Sequence, residues 1–136
     1  MVQRSSANIL VLQETKLLEG QKLAAAADAA RAHGWNPTLT HAHQTAAGKA
    51  SGGSGVLVRK GMGAQGNTDK LVRDGMRHRI SFTWVDGILR GGLHCGSIWL
   101  YDSQGLSEAN MTLLEEAAVA LNSCTGGWVC GGTIYR

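Results

Sequence analysis

Short apolar runs that end in polar residues recur along this chain. The first is Ile-Leu-Val-Leu at residues 9–12, followed directly by Gln13 and Glu14. An uninterrupted apolar run of this length is typical of a strand that is buried on both faces, as in a parallel or mixed sheet. Ligands of such sheets bind beyond the strand ends. Glu14 is therefore expected either to hold a metal ion at a strand end or to start the next helix.

Two segments have the apolar spacing of amphipathic helices. Residues 17–34 are rich in alanine, the best helix former, and stop at Gly34. Residues 107–124 begin with Ser107 as a candidate N-cap and then repeat apolar residues at helical intervals. Both segments are predicted to be helices.

Several other segments have the composition of strands or extended chain. These segments are residues 35–43, 55–61, 77–87, 88–102 and 128–132. Asp86-Gly87, a dipeptide favoured in hairpin turns, joins two of them. Residues 44–55 are rich in Gly, Ser and Ala and are predicted to be a flexible loop. The order strand, helix, several strands, helix, strand predicts one α/β domain with a mixed sheet and helices on one face.

Composition narrows the class of protein. The chain has 136 residues, enough for one domain, and its net charge of +3 suits an anionic partner without requiring one. No segment approaches the ~20 apolar residues of a membrane span, and the first residues lack a signal-peptide cleavage pattern. We expect a soluble intracellular protein with no membrane partner.

The cysteines and histidines do not form a recognisable zinc motif. Cys95, Cys124 and Cys130 lack C-x-x-C spacing, and His41 and His43 have no matching pair of ligands. Neither a disulfide framework nor a zinc ribbon is supported. The cysteines are expected to be small buried apolar residues.

Four motifs occur in an order that resembles the endonuclease/exonuclease/phosphatase superfamily. They are LQETKL at 12–17, SGGSGVLVRKG at 51–61, GSIWLYDSQGLSEAN at 96–110 and WVCGG at 128–132. This superfamily includes apurinic endonucleases, DNase I-like nucleases and the endonuclease domains of non-LTR retrotransposons, to which the motifs are closest. The match runs from about Ile9 to Gly132 and corresponds to the N-terminal half of a family domain without its first strand.

The resemblance implies a fold and a chemistry. The fold is a partial four-layer α/β sandwich of the DNase I-like kind, with helices outside two facing sheets. The chemistry is that of a Mg²⁺-dependent phosphodiesterase. Nucleic acid is the implied partner, DNA in preference to RNA, and a phosphorylated small molecule is the alternative substrate. Glu14 falls on the metal-ligand glutamate, and a carboxylate suits Mg²⁺ because this hard cation takes oxygen ligands. The alternative is an early-helix acid that is favourable to the helix dipole.

Four further residues are candidates for contact with phosphate or nucleic acid. They are Gln13, Tyr101, Arg59 and Lys60. For Gln13 and the two basic residues, the alternative is a strand-end side chain that faces solvent. The glycines before Val56 are expected to let the backbone approach neighbouring segments closely.

Departures from the family pattern predict that activity is lost. The family tyrosine that contacts the scissile phosphate aligns with Trp99, whose indole has one N–H donor and no acidic hydroxyl. Tyr101 lies two residues later on the same strand face. Thr133 and Tyr135 replace the Asp and Asn of the family's Gly-Asp-x-Asn motif, and a threonine hydroxyl is no general base near neutral pH.

We therefore expect a fragment of a Mg²⁺-dependent endonuclease domain that has no catalytic residue and is inactive. The chain would be either a fragment of a decayed mobile element or a gene model whose reading frame departs from the domain sequence after Gly132. The alternative is a non-catalytic module, derived from this fold, that binds nucleic acid or protein. Half a sandwich is also expected to leave one sheet face uncovered.

Overall fold

The computed structural model describes residues 7–101 and 107–135, with the side chains of Tyr101 and of residues 133–135 outside that description. The strands are β1 (Ile9–Gln13), β2 (Trp35–Thr40), β3 (His43–Gln44), β4 (Ala50–Ser51), β5 (Ser54–Arg59), β6 (Ala64–Gly66), β7 (Ile80–Val85), β8 (Leu93–Tyr101) and β9 (Gly127–Tyr135). The helices are α1 (Gln21–Ala32), α2 (Thr68–Leu71) and α3 (Glu108–Asn122), and a 3-10 turn spans Asp74–Met76. The predicted α/β class is confirmed.

The described strands form two larger sheets and one small hairpin. The first sheet has the order β1-β5-β2 and is antiparallel throughout. The second has the order β6-β7-β8-β9 and is mixed, because β8 and β9 run parallel while the other pairs are antiparallel. β3 and β4 pair separately. The predicted mixed sheet is therefore present, but β1 does not belong to it.

The prediction for β1 needs a correction. Its apolar run suggested a strand buried on both faces in a parallel or mixed sheet. Instead β1 is the edge strand of the antiparallel sheet, and Val11 is 37% exposed. A central, doubly buried strand does exist in that sheet, and it is β5.

The two larger sheets pack face to face. Strand alternation directs Val56 and Val58 of β5 towards the other sheet, where they pack with Val85 and Cys95. On its other face β5 presents Leu57 to α1. No residue of α1 is fully buried, since its alanines are too short to fill the gap, and a cavity of about 390 Å³ separates helix and sheet.

The second sheet packs tightly on α3. Phe82 and Ile98 of the sheet meet Leu113, Ala117 and Leu121 of the helix in the larger core of the protein. Each sheet thus has a helix on one face and the other sheet on its second face. Neither sheet has a wholly uncovered face, contrary to the expectation, although Val11, Trp128 and Val129 remain exposed at the sheet edges.

Most element boundaries follow the sequence patterns. Ser107 caps α3 by accepting a hydrogen bond from the Asn110 N–H at 3.3 Å, as predicted. The hairpin at Asp86-Gly87 is confirmed, although β8 starts only at Leu93. α1 begins at Gln21 rather than near residue 17. No helix in the described ranges is long and apolar enough to cross a membrane.

Candidate functional site

Glu14 immediately follows β1, in a segment that is neither helix nor strand and that leads to α1. The residue before α1 is Gly20, so the alternative that Glu14 starts a helix is wrong. Glu14 and Lys16 both have positive φ, 55° and 58°. L-residues adopt this conformation rarely, and such strain persists only where surrounding contacts impose it. The backbone around Glu14 is therefore held in place by its neighbours.

Two glycines of the SGGSG motif hold this segment. The Thr15 N–H donates to Gly53 O at 3.2 Å, and the Lys16 N–H donates to Gly52 O at 2.9 Å. The Gly53 N–H in turn donates to His78 O at 2.7 Å, which ties both segments to the turn that precedes β7. Both glycines have positive φ, and a Cβ on Gly52 would lie 2.7 Å from His78 O. The expected close backbone approach is thus present at these glycines.

The Glu14 carboxylate is accessible from solvent. Its Oε1 lies 3.4 Å from Lys16 Nζ, and the Glu14 side chain is 35% exposed. An ion pair at such a position contributes little, so a cation in solution can compete with Lys16. Mg²⁺ is commonly held by one or two carboxylates, several waters and a substrate phosphate. A single accessible carboxylate fits that weak mode of binding.

The other acidic and metal-binding side chains do not complete a closed metal site. Over residues 7–101 and 107–135, no group of three or more His, Cys, Asp or Glu side chains is arranged to hold a metal ion. A tightly bound structural metal therefore has no ligand set in this part of the chain. Glu14 would act with water and phosphate as the remaining ligands.

Gln13 points between the sheets instead of into solvent. Its Nε2 donates to Ser97 Oγ at 2.8 Å, and Ser97 Oγ donates to Leu12 O at 2.6 Å. Beside it, the hydroxyls of Thr40 and Ser54 lie 2.9 Å apart in the buried interior. The Ser97 hydrogen bonds link β1 to β8, and the Thr40–Ser54 hydrogen bond links β2 to β5.

Arg59 and Lys60 lie at the opposite end of the sandwich. β5 starts at Ser54, opposite Gln13, and ends at Arg59, roughly 17 Å away at about 3.3 Å per residue. The Arg59 guanidinium lies 3.8 Å from the centroid of the Trp35 ring and also donates to Ala7 O at 3.0 Å. Lys60 Nζ donates to Arg31 O at 2.6 Å. The structure does not bring these two predicted contacts together with Glu14.

The remaining predicted residues are only partly described. The backbone of Tyr101 ends β8 opposite Tyr135, and Thr133 pairs with Trp99. The side chains of Tyr101, Thr133 and Tyr135 lie outside the described residues. Trp99 is buried, and its ring packs against Gly52, the glycine whose carbonyl accepts from the Lys16 N–H.

A histidine cluster beside this loop was missed by the sequence analysis. The His43 and His78 rings are 5.3 Å apart, and His78 contacts Gly52. The pKa of His78 is lowered from 6.5 to about 4, first by burial and then by electrostatic interaction with the nearby His43, Arg79 and His41. No spacing motif joins these residues, so only the folding of β3 against the segment before β7 reveals the cluster.

Stability is expected to fall as the pH drops from about 6.5 to about 4. In that window the unfolded chain binds a proton at His78 that the folded protein does not bind, so acid favours unfolding. The full pKa shift of His78 corresponds to roughly 3 kcal/mol in the free energy of unfolding. Because His78 is only half-buried, the expected loss of stability is about 1–2 kcal/mol. Urea denaturation at several pH values measures it. His78→Gln should flatten this part of the profile while His33→Gln, at an exposed histidine, should not; identical profiles would exclude His78 as the cause.

The cysteines are thiols rather than disulfides. All three are free, with Cys95 buried and the other two half-buried. The pKa of Cys130 is raised to about 11, first by burial and then by the neighbouring Cys95. Because the thiolate is the reactive form, Cys130 is expected to be a poor nucleophile and metal ligand near neutral pH.

Comparison with known proteins assigns no family to this chain. Neither a protein-family model nor a curated protein sequence matches it. Function is therefore inferred from the placement of Glu14 and Gln13 and from the two glycines that hold the adjoining Thr15 and Lys16.

Proposed function

We propose that this chain is the N-terminal half of an endonuclease/exonuclease/phosphatase-like domain and that Glu14 is its remaining Mg²⁺ ligand. The observation that carries the proposal is the position of Glu14. Its carboxylate lies at a strand end, outside any helix, on a backbone that two glycine contacts hold in a strained conformation. Proteins keep such strain mainly at functional sites. The four ordered motifs and the helix–sheet–sheet–helix layering are consistent with a partial DNase I-like sandwich.

The chemistry of the proposed site is binding without hydrolysis. Mg²⁺ bound at Glu14 would polarise a phosphate oxygen and neutralise part of its charge. Gln13 is anchored to Ser97 and positions the end of β1, so its role is to support the carboxylate. Thr133 replaces the family aspartate that acts on the attacking water. The chain is therefore proposed to be inactive as a phosphodiesterase.

Nucleic acid, with DNA preferred to RNA, is the proposed partner of the full-length family domain. In this chain, the two candidate basic contacts are both engaged elsewhere, with Arg59 stacked on Trp35 and Lys60 bonded to Arg31 O. Their position far from Glu14 argues against one continuous phosphate-binding surface that includes all three residues. For that reason, we favour contact with nucleic acid through a metal ion at Glu14 over contact through a basic surface.

Mg²⁺ titration followed by amide NMR tests the proposal. We expect selective shifts at residues 13–16 and 52–53, with a dissociation constant on the order of 1 mM because a single carboxylate supplies the protein ligand. Glu14→Gln should abolish the shifts. Glu19→Gln, at an exposed acid nearby in sequence, should leave them intact. Equal shifts in the wild type and Glu14→Gln would exclude Glu14 as a ligand.

A plasmid-nicking assay tests the proposed lack of catalysis. Supercoiled DNA incubated with the chain and Mg²⁺ should be nicked no faster than with Mg²⁺ alone. Metal-dependent nicking that Glu14→Ala removes would show that the chain is an active nuclease after all. The result is independent of the NMR titration, because binding of Mg²⁺ does not require turnover.

A further inference from the structure

Two open strand edges lie on the same side of the sandwich. Within the described residues, β1 pairs only with β5 and β9 pairs only with β8, so each is an edge strand of its sheet. The two strands lie one above the other, because Val11 of β1 packs against Gly131 of β9. A Cβ on Gly131 would be 2.6 Å from Val11 Cγ2. We call this side of the protein the β1/β9 side.

Neither edge carries the usual protection against strand pairing. β1 is Ile-Leu-Val-Leu-Gln and β9 is Gly-Trp-Val-Cys-Gly-Gly-Thr-Ile-Tyr, without a charged residue or a proline in either. Edge strands that stay unpaired are normally interrupted by lysine, proline or bulges. The opposite side of the sandwich follows that rule, since β2 contains Pro37 and β6 has only three residues. The β1/β9 side is therefore built to be covered.

The core between the sheets also opens on this side. Val129 pairs in register with the buried Cys95 and so belongs to the inner surface of its sheet, yet it is 52% exposed. Val11 belongs to the inner surface of the other sheet and is 37% exposed. Trp128, on the other surface of β9, is 51% exposed. Apolar side chains that face an interior but remain in contact with water mark an interaction surface.

We propose that a second copy of this chain covers the β1/β9 side and continues both sheets across a two-fold axis. A two-fold axis perpendicular to the sheets keeps each sheet in its own layer. β1 of one copy then pairs antiparallel with β1 of the other copy, and the two β9 strands pair in the same way. A single symmetry operation thus provides matching partners for both edges. Identical edges that carry charges would repel each other, and neither of these edges has a charge. Val11 and Val129 then become buried at the interface beside their counterparts.

The oligomeric state of the purified chain tests this proposal. Light scattering coupled to size exclusion should give about 28.6 kDa, twice the 14.3 kDa of one chain. Val129→Lys should weaken dimerisation at least tenfold, because each copy would bring a charged side chain into the apolar interface. Val119→Lys, at a 71% exposed position on α3, is the matched control and should leave the dimer intact. Equal behaviour of the two variants would overturn the proposal.

Hydrogen exchange of the wild type tests the same interface without a substitution. Amides of β1 and β9 should be protected at high protein concentration and should lose protection on dilution, while β5 stays protected throughout. Circular dichroism must show that Val129→Lys is folded, and Trp128→Lys replaces it if it is not. A chain that stays monomeric at 100 µM overturns the proposal, as do open-ended filaments, because the two-fold pairing closes after two copies.

Discussion

Replacing Gly53 with alanine is expected to destabilise the protein by about 2–5 kcal/mol and to displace the segment that carries Glu14. The φ of Gly53 is +88°, a conformation that costs an L-residue about 1–2 kcal/mol. The added methyl group would also overlap Thr15 Oγ1, and overpacking of this kind typically costs about 1–3 kcal/mol. Urea denaturation measures the sum.

Gly34 offers a closely matched control for Gly53→Ala. Its φ is +89°, but a Cβ there meets no atom within 4 Å. Gly34→Ala should therefore cost only the conformational part, about 1–2 kcal/mol. Adding Thr15→Ala to Gly53→Ala should recover part of the loss, since it removes the overlapping hydroxyl. Equal losses of stability in the two glycine variants would show that the overlap with Thr15 adds nothing to the cost of Gly53→Ala.

The Gly53 variant also links the fold to the proposed metal site. If Glu14 binds Mg²⁺ through its strained backbone position, Gly53→Ala should weaken the Mg²⁺-induced amide shifts even where the protein remains folded. Gly34→Ala should leave those shifts unchanged, because it lies at the end of α1 away from this loop.

Phe82→Ala should destabilise the protein by about 3–5 kcal/mol. Phe82 is the only phenylalanine in the chain, is 0% exposed and lies in the core between the second sheet and α3. Its ring also packs over Gly96, where a Cβ would be 2.6 Å from Phe82 Cε1, and Gly96 has no side chain that could fill the space. A domain of this size typically has only 5–15 kcal/mol of stability, so the variant should be marginal.

Thermal and urea unfolding measure the effect of Phe82→Ala. Val119→Ala, at a 71% exposed position on α3, is the control and should change stability by less than about 0.5 kcal/mol. A loss below about 1 kcal/mol for Phe82→Ala would mean that the sheet and α3 do not form the packed core described above.

Local patterns in the sequence were sufficient for most of the elements. The cap at Ser107 and the apolar spacing after it predicted α3, because capping and helical periodicity involve residues within a few positions of each other. The apolar runs predicted β1, β5 and β9 as strands, and Asp86-Gly87 predicted the hairpin. The class of fold followed from the order of these elements.

Sequence patterns were less reliable where a long-range partner decides the outcome. The run at residues 9–12 looks the same in a central strand and in an edge strand, and only pairing with β5 shows that β1 is an edge. The start of α1 was also misplaced, since contacts with Gly52 and Gly53 hold Thr15 and Lys16 in a non-helical segment. Periodicity does not detect contacts of this kind.

By itself, the sequence determined that Glu14 follows an apolar strand and that glycines precede Val56, because both facts depend on neighbours along the chain. Only the tertiary structure decided that these two segments meet, that His43 and His78 lie beside them, and that Arg59 lies at the far end. It also placed the uncharged edges of β1 and β9 on one side. The physical reason is that strand pairing and sheet packing join residues far apart in sequence, and no local spacing records which ends they bring together.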